Sequence, residues 1–73
     1  MEYLNAGDGV VVIGAVVRAG YAIPKNTIGH VVWFDNHRQY GTIVFNGYGV
    51  THNVVRDSVA KAILKAARPR KVK

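Results

Sequence analysis

The residues of this chain with the clearest chemical meaning are cations gathered near its C-terminal end. Ten Lys and Arg residues stand against four Asp and Glu, which gives the 73 residues a formal charge of +6. Residues 1–55 are neutral, whereas residues 56–73 contain seven basic residues and one acidic residue. Such a segment attracts polyanions, although its charge could instead support a helix C-terminus, provide solubility or contact a membrane surface. The candidate phosphate-binding residues are Lys61, Lys65, Arg68, Arg70, Lys71 and Lys73, with Arg38 from the neutral part.

A strip of side chains on two predicted neighbouring strands could contact bases. If Val31 and Trp33 point inward, alternate residues on both strands point outward. The outward strip comprises His30, Val32, Phe34, Tyr40, Thr42 and Val44. It is unusually apolar for a surface that faces water. We therefore predict that bases stack on Phe34 and Tyr40 while Arg38 contacts phosphate.

The same strip could instead contact protein, either a C-terminal helix of this chain or another subunit. Tyr21 and Tyr48 lie in loops expected to flank a groove, although Tyr21 could equally close one end of the core as a lid. The chain would then be an assembly module, a homo-oligomer, or an accessory or inhibitory subunit docked on a larger enzyme or polymerase. The residues of this alternative are His30, Val32, Phe34, Tyr48, Ile63 and Leu64.

Catalytic, cofactor-binding and metal-binding sites are not indicated. The chain has no cysteine, and His30, His37 and His52 lack the spacing of a metal-binding pair. The sequence at 7–9, Gly-Asp-Gly, lacks the third glycine and the lysine of a phosphate loop, and a strand pattern follows it. We therefore expect a protein that is not an enzyme, with no cofactor and no metal.

Turn residues divide the first 57 residues into short β-branched stretches. Five polar residues, 35–39, and the Asn-Gly turn at 46–49 predict two hairpins, and residues 18–26 predict a long loop. The pattern favours a mainly β fold, a small antiparallel barrel of four or five strands. The predicted strands cover residues 10–13 and 15–17, with a bend at Gly14, and residues 28–34, 40–45 and 50–55.

The C-terminal residues follow a helical period instead. Asp57 or Ser58 can cap a helix, and Pro69 would end it. We predict a barrel over residues 1–57, then a short basic amphipathic helix and a mobile basic tail over residues 58–73. The apolar side of this helix comprises Val59, Ala60, Ile63, Leu64 and Ala67, and the basic side comprises Lys61, Lys65 and Arg68.

Three segments resemble the SH3-like small barrels of KOW and Tudor-like type found in ribosomal proteins and transcription factors. They are Gly-Asp-Gly-Val-Val-Val at 7–12, the Gly-His-Val of 29–31 with the residues around it, and Gly-Thr-Ile-Val-Phe-Asn-Gly at 41–47. The resemblance covers residues 6–57. It implies the barrel fold and a partner that is RNA, DNA, a peptide or a large enzyme subunit. The loop before Gly29 is longer and less basic than in a KOW motif.

The combined prediction is a non-enzymatic nucleic-acid-binding module. It would bind DNA or RNA with weak sequence specificity, through phosphate contacts of the basic segment and orientation or weak base stacking on the barrel. A cytoplasmic location is expected, without a membrane partner, because the longest uncharged apolar run, Val10 to Val17, is too short to span a bilayer. The first three residues also lack the basic start of a secretory signal.

Overall fold

The computed structural model describes residues 2–62, which form two antiparallel sheets. The strands are β1 (Gly9–Val12), β2 (Val17–Arg18), β3 (Tyr21–Ala22), β4 (Ile28–Asp35), β5 (Tyr40–Phe45), β6 (Thr51–Val55) and β7 (Val59–Lys61). The larger sheet has the order β6-β5-β4-β1-β7, and β2 pairs with β3 in the smaller one. The predicted mainly β, antiparallel architecture is confirmed, but the described residues form seven strands in two sheets instead of the four or five strands predicted. Within this part of the chain, no helix has the length and apolar character needed to cross a membrane.

One apolar core lies against the inner face of the larger sheet. The N-terminal segment contributes Leu4, which Asn36 fixes through two reciprocal hydrogen bonds of 2.8 Å to its backbone N–H and carbonyl. Because both backbone groups are satisfied, the segment can bury its side chain without leaving polar atoms unpaired. The buried apolar residues are Leu4, Val10, Val12, Val16, Ile23, Val31, Ile43, Phe45, Val54 and Val59.

The pairing of β4 with β5 contains one extra residue. The register shifts between Val31 and Trp33, so Val32 is a bulge with no partner on β5. A bulge reverses the faces of the side chains that follow it. Trp33 therefore lies opposite Thr42 on the outer face, and Phe34 packs against the core. The prediction that Trp33 points inward and Phe34 outward is wrong for this reason.

Gly41 makes the inward position of Phe34 possible. The two residues are paired across β4 and β5. A side-chain carbon at Gly41 would lie 2.7 Å from the Phe34 Cα and 2.5 Å from the Trp33 carbonyl oxygen, closer than real side chains approach backbone. The absent side chain leaves the space that the Phe34 ring occupies.

Substituting Gly41→Ala should therefore destabilise the protein by about 1–3 kcal/mol, because the added methyl group overpacks the β4–β5 pair. Urea unfolding measures the change in midpoint. Gly49→Ala is the matched control, since a side-chain carbon there meets nothing within 4 Å. Equal midpoints for the two variants would contradict the packing argument.

The predicted C-terminal helix is wrong within the described residues. Arg56–Ser58 forms a single 3₁₀ turn, and β7 follows it directly. Strand β7 pairs antiparallel with β1, with Val10 opposite Lys61 and Val12 opposite Val59. The run Val-Ala-Lys at 59–61 fits a strand as well as a helix. Pairing with the edge of β1 satisfies its backbone hydrogen-bonding groups, whereas a short isolated helix is only marginally stable in water. The other candidate site residues of the predicted helix and tail lie outside the described residues. They are Ile63, Leu64, Lys65, Arg68, Arg70, Lys71 and Lys73.

Ser58, one of the two residues predicted to cap that helix, makes a different contact. The Ser58 hydroxyl donates to the carbonyl of Ala15 at 2.9 Å, and the 3₁₀ turn has no side-chain cap. On the same turn, the Arg56 Nη1 donates to the carbonyl of Val59 at 2.7 Å. These bonds tie the turn to the segment after β1 and to the start of β7. The turn thereby directs β7 back toward β1 rather than starting a helix.

Candidate functional site

An exposed aromatic pair lies on the outer face of β4 and β5. Trp33 is 44% exposed and Tyr40 is 37% exposed. Their rings meet edge to face, with centroids 5.6 Å apart and planes at 78°. Val32 on the bulge is exposed, as is Val55, which lies opposite Tyr40 on β6. We call Val32, Trp33, Tyr40 and Val55 the aromatic patch.

The turn between β4 and β5 positions Tyr40 at the start of its strand. Asp35 Oδ1 accepts the backbone N–H groups of His37 and Arg38, both at 3.0 Å, and Gln39 takes a left-handed φ of 67° that completes the turn. The Arg38 side chain itself is 72% exposed and lies 3.9 Å from the Asp35 carboxylate. A long ion pair at this exposure is weak. Arg38 is therefore a cation available to a ligand beside the aromatic patch.

Polar groups border the patch. On one side the Thr42 hydroxyl donates to Asn53 Oδ1 at 2.9 Å. On the other side lies an open cleft of about 310 Å³. Its two arginines differ, because the Arg56 side chain is only 16% exposed while Arg38 faces solvent. The cleft is lined by Arg38, Gln39, Val55, Arg56 and Asp57.

A second open cleft, of about 730 Å³, lies between the β4–β5 turn and the N-terminal segment. The exposed ring of Tyr3 borders it, and Asn36 there already bonds the backbone of Leu4. The two clefts share Gln39. The turn therefore separates two open surfaces, of which only the smaller one borders the aromatic patch.

Most cations of residues 2–62 face carboxylates. Lys61 lies 3.5 Å from Asp8, and Arg56 lies 4.0 Å from Glu2. Lys61 was predicted to share a helical row with Lys65, but its place on β7 beside Asp8 removes the basis for that row. Residues 2–62 carry five basic and four acidic residues, so this part of the chain is nearly neutral.

The carboxyl group of Asp8 has a lowered pKa. The main cause is the backbone N–H of Asn5, which donates to Asp8 Oδ2 at 2.8 Å, and the Lys61 ammonium adds to the effect. Both interactions favour the charged form. Because the folded pKa is below the unfolded one, the stabilisation by Asp8 is complete above the unfolded pKa and is lost as the pH falls through the folded pKa.

The Asp8→Asn variant should accordingly be less stable than the wild type near neutral pH, and the difference should shrink as the solution is acidified below the ordinary carboxyl pKa of about 3.9. Urea unfolding midpoints of both proteins across this pH range measure it. Asp57→Asn serves as the control. A difference between Asp8→Asn and wild type that stays constant with pH would contradict the assignment.

A second aromatic cluster lies between the β2–β3 hairpin and the β5–β6 turn. The rings of Tyr21 and Tyr48 are stacked, with centroids 5.8 Å apart and planes at 14°. The Tyr21 hydroxyl lies 2.6 Å from Nε2 of His52, a side chain with no exposed surface. His52 Nδ1 lies 3.1 Å from the carbonyl of Val50. A carbonyl only accepts, so Nδ1 donates to it, and in the neutral imidazole Nε2 is then the acceptor of the Tyr21 O–H.

This arrangement gives Tyr21 features of both alternatives, a lid and an exposed ring. The long loop predicted over residues 18–26 is wrong in part, because the hairpin of β2 and β3 occupies residues 17–22 and turns at Gly20 with a φ of +91°. The hairpin carries Tyr21 over the buried imidazole of His52, while the ring stays 40% exposed. Arg18 adds a bond from Nη2 to the carbonyl of Thr51 at 3.0 Å. Tyr21 is therefore a lid on the core that also offers ring surface to solvent.

Replacing Tyr21 with Phe should cost about 1–3 kcal/mol of unfolding free energy, because the buried Nε2 of His52 would lose its donor. Thermal or urea unfolding provides the measurement. Tyr48→Phe is the matched control, since it keeps the stacked ring and the Tyr48 hydroxyl makes no hydrogen bond within residues 2–62. Similar losses in both variants would show that the Tyr21–His52 bond contributes nothing specific.

The remaining predicted residues are separated by the structure. His30 is exposed on β4 opposite Val44, at the other end of the outer face from Tyr40, and Phe34 faces inward. The sequence prediction missed Trp33 as the exposed ring. The available signal was the run of four apolar residues, 31–34, which shows no alternation and therefore does not define a face.

Comparison of the chain with known protein families, with characterised proteins and with solved structures gives no match. Among residues 2–62, no three His, Cys, Asp or Glu side chains are grouped so that they could hold a metal ion. The functional argument therefore rests on the charge distribution and on the aromatic patch with its neighbouring Arg38.

Proposed function

We propose that this protein is a non-enzymatic nucleic-acid-binding module built on an SH3-like small β-domain. The observation that carries the proposal is the separation of charge along the chain. Residues 2–62 contain five basic and four acidic residues, whereas residues 63–73 contain five basic residues and no acidic one. The body therefore has little electrostatic attraction of its own, and the C-terminal segment has a large one.

Phosphate attraction by such a segment needs no particular base sequence. Each cation that neutralises a phosphate releases a condensed counterion, and this release drives binding at low salt. In the proposal, this phosphate attraction comes from five cations, which are Lys65, Arg68, Arg70, Lys71 and Lys73. Lys61 contributes less than expected, because Asp8 lies 3.5 Å from its ammonium group. Binding to DNA or RNA would accordingly be weakly sequence-specific.

The β-domain supplies orientation in this proposal. Strand β7 pairs with β1, so the basic segment begins at a fixed edge of the larger sheet. The return of the last strand to the first, after the β4–β5–β6 meander, supports the SH3-like assignment. A cysteine-free chain is compatible with the reducing cytoplasm, which we propose as its compartment.

The salt dependence of binding tests the proposal. Affinity for a nucleic acid should fall steeply as salt rises, and replacing Lys65, Arg68, Arg70, Lys71 and Lys73 with Gln in the full chain should reduce the log–log slope by up to about 4.5. Fluorescence anisotropy of a labelled duplex at several salt concentrations gives the slope. A five-site variant with unchanged affinity and slope would overturn the proposal.

A pair of single substitutions separates phosphate contact from net charge. Lys71→Gln and Lys25→Gln lower the charge equally, one within the basic segment and one on the loop before β4. Contact by the segment predicts that Lys71→Gln lowers the slope by about 0.9 and that Lys25→Gln changes it less. Equal effects would show that only the overall charge matters.

A protein-interaction or assembly module is the second candidate function. The stack of Tyr21 on Tyr48 favours it, because Tyr21 is 40% exposed and Val50, two residues after Tyr48, is 58% exposed. Exposed apolar side chains beside aromatic rings are typical of interaction surfaces. Sedimentation in high salt distinguishes the two functions. A dimer that persists there, together with a flat salt dependence of nucleic-acid binding, would favour assembly.

A further inference from the structure

The geometry points to unpaired bases as the ligand of the aromatic patch, so that the chain binds single-stranded nucleic acid in preference to a duplex. This inference rests on the proposed function and names its ligand class. In a duplex the faces of the bases are already stacked, and only their edges and the phosphates are accessible. An aromatic ring on the open face of a sheet can stack only on a base that has left the duplex.

The rings of the patch are held in place before any ligand arrives. Trp33 and Tyr40 contact each other edge to face at 5.6 Å between centroids, and each keeps roughly two-fifths of its surface exposed. The bulge at Val32 fixes the face on which Trp33 lies, and the turn at Asp35 fixes the start of β5. Aromatic side chains have two rotatable bonds, so ordering them on binding costs little entropy.

A phosphate contact is available next to the rings. Arg38 lies two residues before Tyr40, and its side chain is 72% exposed. Its ion pair with Asp35 is long, at 3.9 Å, so the guanidinium can exchange that carboxylate for a phosphate. The turn does not depend on this ion pair, because Asp35 holds it through the backbone N–H groups of His37 and Arg38.

The size and border of the patch favour a base over a protein partner. A stable protein interface uses about 20–30 residues on each side, whereas the patch has four and ends at the hydrogen-bonded pair of Thr42 and Asn53. One or two stacked bases need only one or two rings. The five cations of residues 63–73 match a polyanion that extends beyond the patch.

The experiment compares three labelled ligands with the full-length protein at low salt. They are a thymidine oligonucleotide of about ten residues, an abasic strand with the same number of phosphates, and a duplex. The thymidine strand should bind about ten- to a hundredfold more tightly than the abasic strand, and also more tightly than a duplex with the same number of phosphates, because only the thymidine strand has unpaired bases to stack. Trp33 is the one tryptophan of the chain, so its fluorescence should change with the thymidine strand and not with the abasic one.

Substitutions at the patch identify the residues responsible. Trp33→Ala should abolish the difference between the thymidine and abasic strands, and Trp33→Phe should restore most of it. Val17→Ala is the control, since Val17 is 69% exposed on the β2–β3 hairpin rather than on the patch. Circular dichroism establishes that each variant is folded.

The outcomes separate this inference from the proposed function. Equal affinity for the thymidine and abasic strands, with no fluorescence change, would overturn the stacking inference and leave the phosphate-binding function intact. No binding to any of the three ligands would overturn both. A dimer that dissociates on Trp33→Ala would show that a second copy covers the patch, and it would likewise overturn the inference.

Discussion

Val32 has no partner on β5, and this single unpaired residue determines which aromatic side chain of β4 faces solvent. Because side chains alternate along a strand, one inserted residue exchanges the two faces for everything beyond it. Phe34 consequently packs on the core over Gly41, and Trp33 lies outside beside Tyr40. The core at this end of the sheet and the aromatic patch are thus two results of the same local irregularity.

Charge and contact surface are assigned to different parts of the chain. Within residues 2–62, Lys61, Arg56 and Arg38 each lie within 4.0 Å of a carboxylate, so the β-domain gains local ion pairs and little net charge. Long-range attraction depends on net charge, whereas stacking depends on exposed rings and falls off at contact distance. In the proposed function, long-range electrostatic attraction and base stacking can therefore be altered by mutation independently of each other.

The mainly β class and most of the longer strands could be predicted from the sequence, because β-branched runs separated by Asn, Gly and Pro strongly favour strands joined by turns. The sequence was insufficient for the face of Trp33, because residues 31–34 are all apolar and contain no alternation to read. The helix prediction failed because the apolar pattern of Val59 and Ala60 fits either period, and pairing with β1 decides the outcome. The bond of Tyr21 to His52 joins residues 31 positions apart, which no local pattern shows.

The pairing of β7 with β1 also fixes the edge of the sheet to which the basic residues are joined. Five of the residues after Ala62 are basic, and they are joined covalently to the same sheet that carries the aromatic patch. A nucleic-acid strand bound at the aromatic patch would therefore meet the basic residues at a high effective concentration, without a second encounter from solution. Two contacts that are each weak would then act as one bivalent site, whose strength depends on the length of chain between them.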